Sequence, residues 1–251
     1  MKKPQAHIRY ALGAALDALL PRLCPVCRST LGRGETLMCA CCLAMAPRTL
    51  MHRRRDNSVA ARVSRPGLEP ALAAAWLEYR RDSPYASVVR DAKFRHMPAM
   101  AREAGRIYGL ELMADGVPQL ADIDVLLPVP LHWRRLLQRG YNQSREAAEG
   151  LADATGIDVG DNLVATRAHR TQTRQSAEAR RRNVSGIIAV RHPDELRGLH
   201  VAVVDDVVTT GSTLSDALRA VQACGPRAMS VLALGAVPAD AFHFAPECGQ
   251  Q

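Results

Sequence analysis

The residues best suited to chemistry lie together in VVDDVVTTGST, residues 203–213. An apolar run delivers two carboxylates, Asp205 and Asp206, and then passes into Thr209, Thr210, Gly211, Ser212 and Thr213, which are small, hydroxylated and flexible. In an open α/β sheet, ligands bind outside the carboxyl ends of the strands. A turn that opens a helix there presents backbone N–H groups, hydroxyls and the positive end of the helix dipole to an anion. Gly211 lacks a Cβ and lets a phosphate come close to the backbone. Two adjacent acids would repel a bare phosphate, so the ligand has to offer hydroxyls to the carboxylates as well as a phosphate to the turn. One Asp before a Ser/Thr helix cap would be an ordinary strand end; two acids, two threonines, glycine, serine and threonine in this order are not.

A second set of reactive side chains is separate from the first. Cys24 and Cys27 form one CxxC pair, and Cys39 and Cys42 form another, with residues 28–38 between them. Two such knuckles supply four thiolates to a tetrahedral, closed, structural Zn²⁺ site, and metal binding would fold a segment too small to fold alone. Gly32 and Gly34 suit the tight turn of a zinc ribbon, and Cys41 is an extra thiol whose spacing fits less well. Five of the seven cysteines lie within residues 24–42. That crowding suits metal binding in a reducing compartment and excludes a secreted disulfide framework.

These groups need elements to hold them. Hydrophobic residues make up 47% of the 251 and charged residues 23%, enough for a real core, and with aromatics at 4% that core is mainly Ala, Leu and Val. HVAVVDD (200–206) is the clearest buried strand; AAAWLEY (73–79), IDVLLPV (123–129), NLVAT (162–166) and 228–237 give others. Helical patterns occupy 101–112, 144–155 with Gly156 as the cap, and 212–224 ended by Gly225 and Pro226. The alternation predicts a mainly parallel sheet flanked by helices. Residues 1–23 read as an amphipathic helix rather than a leader, because His7, Arg9 and Asp17 interrupt the apolar run, and no stretch is apolar for long enough to span a membrane. The expected division is an N-terminal helix and zinc ribbon over 1–46, an exposed linker over 47–70, and an α/β domain over 71–240. The net charge of +8 favours polyanionic partners, but only three of the basic residues are lysines, so the arginine bias is general and clusters matter more than the total.

VVDDVVTTGST resembles the motif by which type I phosphoribosyltransferases hold phosphoribosyl pyrophosphate (PRPP). With a cysteine knuckle ahead of it, the chain resembles the competence protein ComF family from about Leu19 to Ala236. LLPVPLHWRRLLQRGYNQS (126–144) is similar to that family's proline-rich strand exit and Arg-Gly-aromatic-Asn-Gln run, and TQTRQSAEARRRNVSG (171–186) to its mobile-loop segment, with Gln172, Arg180 and Asn183 in place. Gln175 stands where a leucine is usual, and Ile187 and Ile188 where a phenylalanine is usual.

The resemblance implies a type I phosphoribosyltransferase fold with a small N-terminal zinc ribbon. It implies PRPP with Mg²⁺ as ligand, Asp205 and Asp206 facing the ribose hydroxyls, Thr209–Thr213 holding the 5-phosphate, and the loop 129–139 holding pyrophosphate through Arg134, Arg135 and Arg139. Lys93 lies in a lysine-aromatic-basic stretch typical of the family and is a phosphate-contact candidate. It leans toward an enzyme, a pentosyl-transferring glycosyltransferase, with no residue standing out as an acceptor-side base. From a different class, it also implies a cytoplasmic, non-enzymatic factor in DNA uptake and natural transformation. Such a factor would work beside other uptake proteins, handle single-stranded DNA through clusters such as Arg180, Arg181 and Arg182, and use PRPP as a regulatory ligand.

Overall fold

The computed structural model describes residues 22–89, 98–166 and 187–242. The expected N-terminal helix, Lys93 and the arginines of residues 167–186 lie outside them. The chain divides into two compact units between Ala46 and Pro47.

In the first unit, Leu23 and Thr30 bridge across the turn that carries Cys24 and Cys27, and the short helix α1 (Ala40–Ala44) follows Cys39. Glu35 ties the two halves together. Its carboxylate accepts from the backbone N–H of Gly32 at 2.6 Å and of Ala40 at 2.7 Å.

The second unit is built on a five-stranded, wholly parallel sheet. Its strands are β1 (Leu72–Glu78), β2 (Val125–Pro128), β3 (Asp158–Val159), β6 (His200–Val208) and β7 (Ala228–Ala236), in the order β1-β7-β6-β2-β3. β6 is central, paired to β7 from His200 through Val208 and to β2 from Val201 through Val204. Val201, Ala202, Val203 and Val204 are buried, as a strand covered on both faces requires. NLVAT does not join this sheet. β4 (Leu163–Ala165) pairs antiparallel with β5 (Ile188–Val190) in a separate hairpin.

Residues 47–70 are not an exposed linker. Asn57 caps α2 (Ser58–Val63), accepting from Val59 N and Ala60 N, and Val59 and Val63 are fully buried in the main core. Upstream, Pro47 to Thr49 run beside the edge strand β1, with Thr49 N bonded to Trp76 O and Glu78 N to Pro47 O. This covers a sheet edge that would otherwise leave main-chain groups unpaired. Glu111 and Asp115 fasten the segment from one face of α3 (Pro98–Ala114) and its end. Glu111 takes Arg48 on both oxygens and Trp76 Nε1 at 2.8 Å, while Asp115 takes His52 at 2.6 Å and Arg53.

Further helices are α4 (Pro118–Ala121), α5 (Trp133–Arg139), α6 (Gln143–Thr155) and α7 (Ser212–Gln222). Among the described residues no helix is long and apolar enough to cross a membrane. α3 and α6 pack backbone to backbone. A Cβ on Gly105 would overlap Ala147 O, one on Gly150 would overlap Arg102 O, and one on Gly109 would come within 2.8 Å of Ala154 Cβ. α6 is therefore held close against α3, which matters because its first turn reaches the site described next. Gly150→Ala should cost about 1–3 kcal/mol, because the two helices have to separate. A thermal melt lowered by several degrees is the expected result.

Candidate functional site

At the carboxyl end of β6, Asp205 and Asp206 are half-buried, and the ladder continues past them to Val208. Successive strand residues face opposite sides of a sheet, so the two acids address the strand end from both faces. Asp205 Oδ1 accepts from Ser144 Oγ at 3.1 Å and from Asp206 N at 2.8 Å; Asp206 Oδ1 accepts from Val207 N at 2.7 Å. Beyond them Thr209 and Thr210 are exposed, Ser212 and Thr213 half-buried, and the hydroxyls of Thr210 and Ser212 lie 3.0 Å apart.

Gly211 opens α7 in the left-handed conformation at φ 74°, with no side-chain cap on the helix. The side a Cβ would take faces Arg62, with Arg62 Cβ 2.8 Å and Arg62 O 3.1 Å away. The missing side chain thus admits α2, rather than only a phosphate as the sequence suggested. Ser215 continues this contact, its hydroxyl donating to the carbonyls of Arg62 and Val63.

The three arginines of the loop after β2 have different surroundings. Arg139, at the end of α5, donates through Nη1 to Gln143 Oε1 at 3.2 Å. Burial pushes its guanidinium below the ordinary arginine value, and the Asp206 carboxylate opposes that shift. Arg135 is half-buried on the same helix, and the side chain of Arg134 lies outside the described set.

The structure also brings in residues to which the sequence assigned no role of their own. Gln143 and Ser144 are buried at 1% and 3% exposure. Asp216, also buried, accepts from Ile187 N and Ile188 N at 2.9 Å each and so fastens the start of β5 to α7. The Gln143–Ser144 dipeptide had a signal, since it follows Asn142, a residue type suited to a helix N-cap. Asp216 had none.

The sulfurs of Cys24, Cys27, Cys39 and Cys42 all lie within 4.8 Å of one another, and Cys41 is exposed and outside the cluster. Cys27 and Cys39 are 3.7 Å apart, close to the roughly 3.8 Å edge of a tetrahedron whose metal–sulfur bonds are about 2.3 Å. The Ser29 hydroxyl and backbone pull the Cys27 thiol down to about 6, whereas burial and its neighbours push Cys42 up. Four thiols this close compete for negative charge, a competition that a bound cation relieves.

A family profile for the phosphoribosyl transferase domain matches residues 139–243. The DNA utilization protein YhgH of Salmonella typhimurium is 30% identical over 212 residues, covering 78% of this chain and 89% of that protein. The chain belongs to the ComF family of phosphoribosyltransferase-like proteins. Competence protein F of Haemophilus influenzae, 30% identical over 154 residues, covers 60% of this chain and 67% of its own. A solved glutamine phosphoribosylpyrophosphate amidotransferase from B. subtilis overlaps with 24% identity and a TM-score of 0.37, over 53% of this chain and 26% of that one. The profile match begins at Arg139 and takes in α6, β6, α7 and β7, so in this ComF-family chain both the paired acids and Arg139 lie inside the matched domain.

If the four-cysteine cluster holds the first unit together, purified reduced protein should carry one metal ion per chain by elemental analysis. Cys42→Ser should abolish that metal and loosen the first unit, leaving the melt of the α/β unit in place. Metal-free wild type, purified without chelator, would contradict the prediction.

Proposed function

We propose that this ComF-family protein binds the Mg²⁺ salt of PRPP at the carboxyl end of β6 and transfers its phosphoribosyl group to an acceptor nucleophile. One observation carries the reading. Two adjacent acids on the central strand run into a hydroxyl-rich turn that opens a helix, and Asp205 is held by Ser144, next in sequence to the Gln143 that holds half-buried Arg139. That arrangement suits a ligand with a diol in the middle and phosphates at both ends. Asp205 and Asp206 accept from the ribose hydroxyls. The turn 209–213 donates backbone N–H and hydroxyl groups to the 5-phosphate, and Arg135 and Arg139 face the pyrophosphate, where guanidinium matches phosphate oxygens. As the bond to pyrophosphate breaks, negative charge gathers on the leaving group, and fixed cations there lower the barrier. The acids orient the sugar. The cysteine cluster takes Zn²⁺, whose preference for four thiolates in a closed tetrahedron it fits, and its part is structural. A cytoplasmic location accords with PRPP as ligand and with reduced cysteines.

A second reading, handling of single-stranded nucleic acid beside uptake proteins, draws on the relatives' names and on α5. Trp133 is 58% exposed there, its ring 5.6 Å from that of His132 and its helix shared with Arg135. Residues 125–145 contain no acid. An exposed aromatic beside cations is what stacking a base and holding its phosphate require.

Calorimetry with PRPP and Mg²⁺ tests the first reading. Wild type should bind. Asp205→Asn with Asp206→Asn should weaken binding by about 1.5–3 kcal/mol for each charge-assisted bond lost, with the fold retained. A double variant that binds like wild type would place the ligand elsewhere. The second reading expects affinity for a short single strand to fall steeply with salt. Neutralising Arg180, Arg181 and Arg182 should flatten the slope, and Trp133→Ala should weaken binding by about 1–3 kcal/mol. No binding at low salt would remove this reading.

A further inference from the structure

The first turn of α6 places two buried polar side chains side by side, and each holds a different half of the candidate site. Asn142 fixes the turn. Its Oδ1 accepts from Ser144 N at 3.1 Å, and its Nδ2 donates to Val129 O at 3.0 Å, tying the helix start to the exit of β2. Gln143 then bridges. Its Oε1 accepts from Arg139 Nη1 at 3.2 Å and its Nε2 donates to Val89 O at 3.4 Å. Only one orientation of the amide meets both partners, since the other sets an NH₂ against the guanidinium and an oxygen against a carbonyl. Ser144 donates to Asp205 Oδ1, the oxygen that also accepts from Asp206 N. Burial makes both contacts costly to break, because a polar atom withdrawn from water needs a partner. The close packing of α3 on α6 at Gly105 and Gly150 leaves this turn little room to shift.

We propose that Gln143 and Ser144 are positioning residues that set the cation of the pyrophosphate side and the acid of the ribose side from a single helical turn. This rests on the PRPP reading above. Gln143 aims Arg139, and Ser144 aims Asp205. Because the two side chains are consecutive on one rigid element, the spacing between cation and acid is fixed before ligand arrives. A ligand carrying both pyrophosphate and ribose phosphate therefore gains over either half bound alone.

The test uses the full chain, Mg²⁺ and three probes: pyrophosphate, ribose 5-phosphate and PRPP. By calorimetry, Ser144→Ala should weaken ribose 5-phosphate about tenfold, as expected for a lost bond to a charged group, and leave pyrophosphate within about twofold. Gln143→Leu should do the reverse, and it gives an independent arm should Ser144→Ala fail to fold. Both variants should weaken PRPP. In an Asp205→Asn background, Ser144→Ala should add nothing further, since the serine acts through that carboxylate. Equal loss of both half-ligands in either variant, or no loss in either, would overturn the assignment. Wild type that binds none of the three probes would overturn the PRPP reading itself and this inference with it, a failure visible before any substitution is made.

Discussion

Two carboxylates next to each other at the end of a buried strand repel, and the second unit is arranged to hold them there. β6 is buried from His200 to Val204, so the strand cannot swing its acids out to bulk water. Donors are brought to them instead: the Ser144 hydroxyl and the backbone N–H groups of Asp206 and Val207. The other parts of the candidate site come from separate elements, and each depends on a contact of its own. Ser144 depends on the glycine-mediated contact of α6 with α3, Arg139 on Gln143, and the turn beyond the strand on the seat that α2 provides for Gly211.

The segment ahead of β1 belongs to the same economy of support. It covers the edge of the sheet, carries Val59 and Val63 into the core and supplies the Arg62 surface against which Gly211 closes. Glu111 and Asp115, one turn apart at the end of α3, hold Arg48, His52 and Arg53, so a run that looks solvated in sequence is partly tied down, while Arg54 and Arg55 stay exposed. A loss of α2 packing would therefore be felt at the start of α7, within the candidate site.

Much of this was legible in the sequence where local pattern dictates structure. β6 announces itself by an unbroken apolar run, α6 by its periodicity and by Gly156, which caps it in the left-handed conformation as expected. The cysteine spacing brought the right four sulfurs together and left Cys41 aside. Residues 47–70 misled because HRRR and the Pro and Gly nearby resemble a solvated connection, while α2 has only six residues, too few for a periodicity to show. NLVAT has the composition of a core strand, yet only its antiparallel pairing with β5 decides which sheet it joins. Arg139 could not be separated from Arg134 and Arg135 by type, since only the hydrogen bond to Gln143 distinguishes it. Glu35, Ser144 and Asp216 act across the fold, on partners that no local spacing predicts.

We propose that the end of β6, the turn 209–213 and the start of α6 form one ligand site. Hydrogen exchange with and without Mg²⁺ and PRPP measures this directly. Ligand should slow exchange at amides within 205–214 and 139–145, and leave the cysteine module unchanged. Protection confined to other segments, with these two unaltered at saturating PRPP, would contradict it.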